Sequence, residues 1–170
     1  MKDLPTVKFD PSRVTSDVQA AVKARVEQIA GLDPSNFQNI YEASLRSVSA
    51  GRDLATLYVA LLALSIEGMN KKRAKAVALH INNVATAVMA HQRQKEMGVT
   101  HAVWLYSGAP CVKSAAAATP QDRQQDAAHR AANGKRFVVS DGMFVNGVQT
   151  WPGMEEGCRC FAKSEIAGFT

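Results

Sequence analysis

A chain of 170 residues, 46% hydrophobic and 21% charged, has enough apolar material for a buried core and the composition of an ordinary globular protein. Aromatic residues make up only 6% and alanine is abundant, so the core is expected to come from closely packed helices. No segment reaches the roughly 20 apolar residues of a membrane span. The most apolar run, Leu54 to Ile66, is short and stands too late for an export signal, so residence in the cytoplasm, or in a particle built there, is expected.

In chain order, Val14, Val18, Val22, Val26 and Ile29 recur at helical spacing after Pro11-Ser12, predicting a helix over 11–30 with Gly31 as its stop. Asp33 then has the position of an N-cap, with Pro34 in the first helical place, where its missing N–H costs nothing. That helix runs through Phe37, Ile40, Tyr41, Leu45 and Val48 to Gly51, and Asp53 caps a third helix ending near Gly68. A fourth, over about 71–97, carries Ala74, Val77, Ala78, Ile81, Val84, Ala85, Val88 and Met89 on one stripe, with Gly98 as its stop.

Beyond Gly98 the pattern changes. His101 to Tyr106 alternates as a strand does, and Ser107 to Ala118 reads as a loop. Thr119-Pro120 opens a short helix that Asn133-Gly134 ends. Arg136–Val139 and Met143–Val145 read as strands, Asn146-Gly147 is a second hairpin signal, and Cys158 to Ile166 is expected as a last strand. The fold class is therefore α+β, mostly α: a helical bundle over 1–98, then a small α+β module with short antiparallel strands over 99–170.

The net charge is +5, and between residues 70 and 97 stand Lys71, Lys72, Arg73, Lys75, Arg93 and Lys95 against Glu96 alone, a surplus equal to that whole excess. Such a localised patch suits nucleic acid or an acidic protein surface, while short basic runs are also common on plain solvated helix faces.

Several separated pieces of the second half occur in a fixed order. They are Glu96-Met97-Gly98-Val99, Trp104-Leu105-Tyr106-Ser107-Gly108, Cys111, His129 ahead of Asn133-Gly134-Lys135-Arg136-Phe137, Pro152-Gly153, and Gly157-Cys158-Arg159-Cys160. In that order and spacing, over residues 74–163, the chain resembles the Mu F-like phage head morphogenesis family. It departs from the family pattern at Leu79 to Asn83, where an Arg-Thr-Glu element is usual, and at Gln124 and Asp126, where arginines are usual. The second cysteine usual soon after the first is absent, and family members are often longer at the N-terminus. The resemblance implies a non-enzymatic minor head protein in the virion, made in the host cytoplasm, associated with portal and head proteins and touching packaged DNA. It implies neither a membrane partner nor a small-molecule substrate. A free-standing DNA-binding protein and a metal-dependent hydrolase or toxin-like domain are the other classes to weigh.

All three cysteines, Cys111, Cys158 and Cys160, lie in the module, and with His129 they form a candidate Cys₃His set for structural zinc. Against a metal, the Cys-x-Cys spacing is tighter than the usual two to four residues. A regular strand there is further expected to part the two thiols unless Gly157 provides a bulge. Reduced structural thiols, or a disulfide from Cys111 to one of the pair, are the competing readings. His129 also has the position of a histidine capping its helix, and His80, His91 and His101 read as surface or bundle-edge residues. Cys158 beside Arg159, or the carboxylates Asp122, Asp126, Glu155 and Glu156, can be drawn as a catalytic group. No phosphate-cradling glycine loop, His-Glu-x-x-His or Gly-x-Ser-x-Gly accompanies them. Trp104 is expected in the core, and Trp151, beside a turn, is open to either core or partner contact.

Overall fold

The computed structural model describes residues 9–29, 31–113, 118–166 and 168. Among them are helices α1 (Ser16–Glu27), α2 (Pro34–Ser49), α3 (Leu54–Ala63), α4 (Lys71–Glu96) and α5 (Pro120–Ala132). The strands are β1 (His101–Leu105), β2 (Arg136–Val138), β3 (Met143–Val145), β4 (Val148–Thr150) and β5 (Phe161–Ser164). This is the expected mostly-α α+β fold. Part of the loop expected over Ser107–Ala118, residues 114–117, lies outside the described residues. None of the described helices is long and apolar enough to cross a membrane.

The chain divides into two compact units, 1–85 and 86–170, so the division falls inside α4 and upstream of the junction expected after Gly98. The last turns of α4 belong with the module because they pack there. His91 stacks on Trp151 with ring centroids 5.1 Å apart, and Gln94 donates to Ser164 Oγ at 3.0 Å.

In the first unit, α1 starts later than the valine spacing suggests. Pro11–Arg13 is a 3₁₀ turn capped by Asp10, and Thr15 caps α1 instead, its hydroxyl accepting from the Val18 N–H. Val18, Val22 and Val26 are fully buried, as the four-residue step requires. Asp33 caps α2 and Asp53 caps α3 as expected. The apolar run past Ala63 does not stay helical, because Leu64 is already extended, so α3 stops well before Gly68. The buried face of α2 includes Ser44 and Ser47, which periodicity of apolar residues does not foretell. Ser44 donates back to the Ile40 carbonyl at 2.7 Å, and Ser47 donates to the Asp53 carbonyl at 2.6 Å while accepting from Asn82 Nδ2 of α4 at 3.0 Å. A fully buried amide and hydroxyl thus satisfy one another inside the bundle, which removes the desolvation cost of burying either alone.

In the second unit, β1 is the central strand of a three-stranded antiparallel sheet, order β2-β1-β5, and β3 pairs with β4 as a separate hairpin. β4 follows from the Asn146-Gly147 turn, where both residues have positive φ. β5 is shorter than expected because pairing with β1 begins at Leu105↔Phe161, after the cysteines. Trp104 on β1 is the largest fully buried side chain, set edge-on to His129 and Phe137 with ring centroids 5.4 and 6.3 Å away. Trp151 is half-buried and donates its ring N–H to the Val139 carbonyl at 2.8 Å, which puts it at the margin of the same core.

Helix α5 begins with a reciprocal cap. The Thr119 hydroxyl accepts from the Asp122 N–H at 3.1 Å, and Asp122 Oδ2 accepts from the Thr119 N–H at 2.9 Å. That backbone hydrogen bond from Thr119 is the leading reason the Asp122 pKa falls below its usual value, burial working the other way. The folded value therefore lies below the unfolded one of about 3.9. Its contribution to stability is complete above the unfolded value and is lost as pH falls through the folded value. Asp122→Ala is expected to lower the free energy of unfolding by about 1 kcal/mol at neutral pH. In urea titrations at several pH values that difference shrinks on acidification; a loss that is the same at every pH contradicts the assignment.

Candidate metal centre

Three stretches of backbone bring the candidate ligands together. Cys111 sits in the loop after β1, His129 on the inward face of α5, and Cys158 and Cys160 in the extended segment leading into β5. Each segment is anchored beside its ligand. The Cys111 N–H donates to Asp126 Oδ1 at 2.7 Å, an atom that also accepts from the Tyr106 hydroxyl at 2.7 Å. Asp126 lies one turn before His129, so a single carboxylate ties the loop to the helix that carries the imidazole. Burial penalises that charge, but the hydrogen bonds from Cys111, Tyr106 and Arg130 together hold the Asp126 pKa below the usual carboxylate range. The same pairing, added to burial, pushes the Tyr106 hydroxyl up to about 12. On the other side, Gln125 Nε2 donates to the Glu156 carbonyl at 2.9 Å, and Lys113 Nζ stands 3.0 Å from the Glu156 carboxylate.

The expectation that a strand would part the Cys-x-Cys thiols is wrong on elementary geometry, because alternate residues of an extended chain share a face. Cys158 and Cys160 are both buried and Arg159 between them is exposed, so the pair comes together without a bulge. Gly157 matters for a different reason. It holds φ +79°, and a Cβ there would lie 2.6 Å from the Val112 carbonyl carbon, so the Cys111 loop and the Cys158 segment can meet only at a glycine.

The resulting cluster is compact. The ligand atoms of Cys111, His129, Cys158 and Cys160 all lie within 4.8 Å of one another, and all four residues are buried. Cys111 Sγ is 3.6 Å from Cys160 Sγ, and Cys160 Sγ is 3.6 Å from His129 Nδ1. A tetrahedral site with metal–sulfur bonds of about 2.3 Å requires sulfurs about 3.8 Å apart, so the spacing suits an ion at the centre. All three cysteines are free thiols, and the alternative of a Cys111 disulfide is not the state seen. Nor does His129 serve as a carbonyl cap, since its Nδ1 faces the thiols.

Backbone donors prepare the site for negative sulfur. The Arg159 N–H donates to Cys111 Sγ at 3.4 Å and the Gly153 N–H to Cys158 Sγ at 3.3 Å. Hydrogen bonds with Cys158 and then Cys160 hold the Cys111 thiol far below the ordinary thiol value, while those with Cys111 and then Cys158 push the Cys160 thiol up. Burial opposes a charge on His129, yet its hydrogen bonds with Cys111 and Cys158 and the nearby Glu155 carboxylate raise its pKa well above the ordinary one. A cation entering the site would take the place of the protons that these donors otherwise share. The four residues form a buried group able to hold a metal ion.

The remaining candidates fall elsewhere. Lys71, Lys72 and Lys75 are exposed at the start of α4, where the half-buried Arg73 donates to the Glu67 carbonyl at 3.1 Å; Arg93 and Lys95 are exposed at its other end. The basic stretch is therefore two patches on one helix. Asp122 and Asp126 are committed to the cap and the loop anchor and do not form a carboxylate pair. His91, expected at the surface or the bundle edge, is half-buried against Trp151. The backbone donors to sulfur and the Asp126 anchor left no sign in the sequence, because both depend on segments that meet only in the fold. Compared with protein-family models, with curated proteins and with solved structures, the chain matches none.

Gly157→Ala is expected to destabilise the second unit by more than about 1 kcal/mol, since it combines a positive φ with a collision against backbone. Thermal unfolding followed by Trp fluorescence reads this, and unchanged melting would contradict the close approach described.

Proposed function

We propose that the protein is a minor head protein of the Mu F-like phage type, a docking component whose C-terminal module is closed by structural zinc. One observation carries this reading. Cys111, His129, Cys158 and Cys160 are motif positions of the family resemblance, spread along the chain, and their ligand atoms gather in one buried cluster. A motif whose members meet in space is what a shared structural element leaves in a sequence. Three thiols and an imidazole are soft donors that suit zinc and not the hard cations, which take oxygen. Four protein donors also fill a tetrahedron and leave no open position of the catalytic kind, which favours docking over hydrolysis.

The site of action proposed is the virion, at the portal or inside the head, after synthesis in the host cytoplasm. Portal and head proteins are the partners. Packaged DNA is a further contact of Lys71, Lys72, Arg73 and Lys75, where the N-terminus of α4 adds its own partial positive charge.

Protein purified without added metal is expected to carry one zinc per chain by elemental analysis. Zinc at about a thousand times its dissociation constant adds about 4 kcal/mol to stability. A domain of this size gains about 4–8 °C per kcal/mol, so chelation lowers the melting temperature by more than about 10 °C. A metal-free protein whose melting ignores both zinc and chelator excludes the staple. Cross-linking mass spectrometry of purified virions is expected to find the chain bound to portal or head proteins, and its absence from particles excludes the docking role. DNA binding through the basic start of α4 weakens steeply with salt. Replacing Lys71, Lys72, Arg73 and Lys75 by alanine flattens the salt slope by about 0.9 for each phosphate no longer neutralised. Salt-independent binding, or none, removes DNA from the proposal.

A further inference from the structure

Beside the cysteine cluster stands a carboxylate that the four-ligand description leaves unexplained. Glu155 Oε2 is 3.6 Å from His129 Nε2, the ring nitrogen that faces away from the thiols. His129 Nε2 and Glu155 Oε1 are both buried atoms, and neither has a hydrogen-bond partner among the described residues. A buried ring nitrogen costs free energy when unsatisfied, so its placement beside a carboxylate calls for an explanation.

The surrounding chain holds Glu155 where it is. Its carbonyl accepts from the Cys158 N–H at 3.0 Å, which closes the turn that delivers the Cys158 thiol. Its neighbour Glu156 is fastened to α5 through Gln125 and to the Cys111 loop through Lys113, and Gly157 presses against Val112. The backbone on both sides of the glutamate is therefore fixed, and its side chain is directed at an imidazole that is itself fully buried.

We propose that Glu155 is the positioning residue of the metal site: it accepts a hydrogen bond from His129 Nε2–H and so fixes the ring with Nδ1 toward the three thiols. The inference rests on the reading of the cluster as a metal centre and names the residue that orients its one nitrogen ligand. An imidazole has a single proton to place when neutral. An acceptor at Nε2 assigns it there, leaves the Nδ1 lone pair free for the ion, and makes that nitrogen a stronger donor. The otherwise unsatisfied ring nitrogen then has an acceptor in the carboxylate beside it.

The test measures zinc affinity by competition with a chromophoric chelator for the full chain, Glu155→Ala, Glu155→Gln and Glu96→Ala, at a temperature where circular dichroism shows each to be folded. Glu155→Ala is expected to weaken zinc binding by about 10- to 100-fold, the usual cost of losing such a partner. Glu155→Gln keeps an acceptor and loses less, and Glu96→Ala, at an exposed carboxylate of α4, retains full affinity. Long-range nitrogen–proton spectra of the zinc-loaded chain are expected to show His129 protonated at Nε2 with a slowly exchanging proton, which exchanges fast in Glu155→Ala. A purely structural role for the loop would not change that signal. Equal affinity for the full chain and Glu155→Ala overturns the proposal, as does an equal loss in Glu96→Ala. Failure of the unaltered chain to take up any zinc overturns the metal reading itself, and this inference with it.

Discussion

The second unit depends on the gathering of three thiols and one imidazole at a point where a core of this size would ordinarily place large hydrophobic side chains. Its fully buried aromatic mass is mainly Trp104, and the cysteines count among the core residues that surround it. Polar sulfur and nitrogen in such a place are tolerable only when they satisfy one another or a cation, because the interior offers little screening. The Cys111 loop, helix α5 and the segment before β5 each contribute a ligand to this cluster. Its charge balance and the packing of the module are therefore one problem, and the N–H groups of Gly153 and Arg159 that point at sulfur are part of the solution.

The first unit solves the same problem by other means. Its helices bury valine, isoleucine, leucine and alanine along stripes, and the one fully buried hydroxyl–amide pair among the described residues, Ser47 with Asn82, joins α2 to α4 without any ion. Such a pair adds less stability than it adds register, since a sliding of either helix would strand both groups away from water. The two units differ accordingly in what perturbs them: the first answers to packing volume, the second to whatever competes for sulfur.

Helices were readable from residue spacing because valine at 18, 22 and 26 and the cap residues Asp33, Asp53 and Thr119 act locally. Strands β1 to β3 were readable for the same reason, through alternation and turn residues. Less legible was the end of α3, where the apolar run outlasts the helix, and the buried serines of α2, whose placement depends on partners elsewhere in the chain. Membership of the cluster could be read because cysteine is rare here and all three lie in one region. Its support could not: the Asp126 anchor, the sulfur-directed N–H groups and the orientation of Glu155 toward His129 arise only when distant segments are brought into register. Asp122 and Asp126, which can be drawn as paired carboxylates in the sequence, are engaged in a helix cap and a loop anchor.

Cys111 and Cys160 stand 49 residues apart, and β5 reaches its partner β1 across a similar span. Bringing two points so distant together costs a flexible chain about 3.5 kcal/mol of entropy before any contact repays it. Pairings of this kind form late and slowly. Before that closure the sulfur atoms are not yet enclosed, and three thiols can pair in three ways, none of which leaves all three free to hold an ion. Oxidation before closure therefore competes directly with assembly of the cluster.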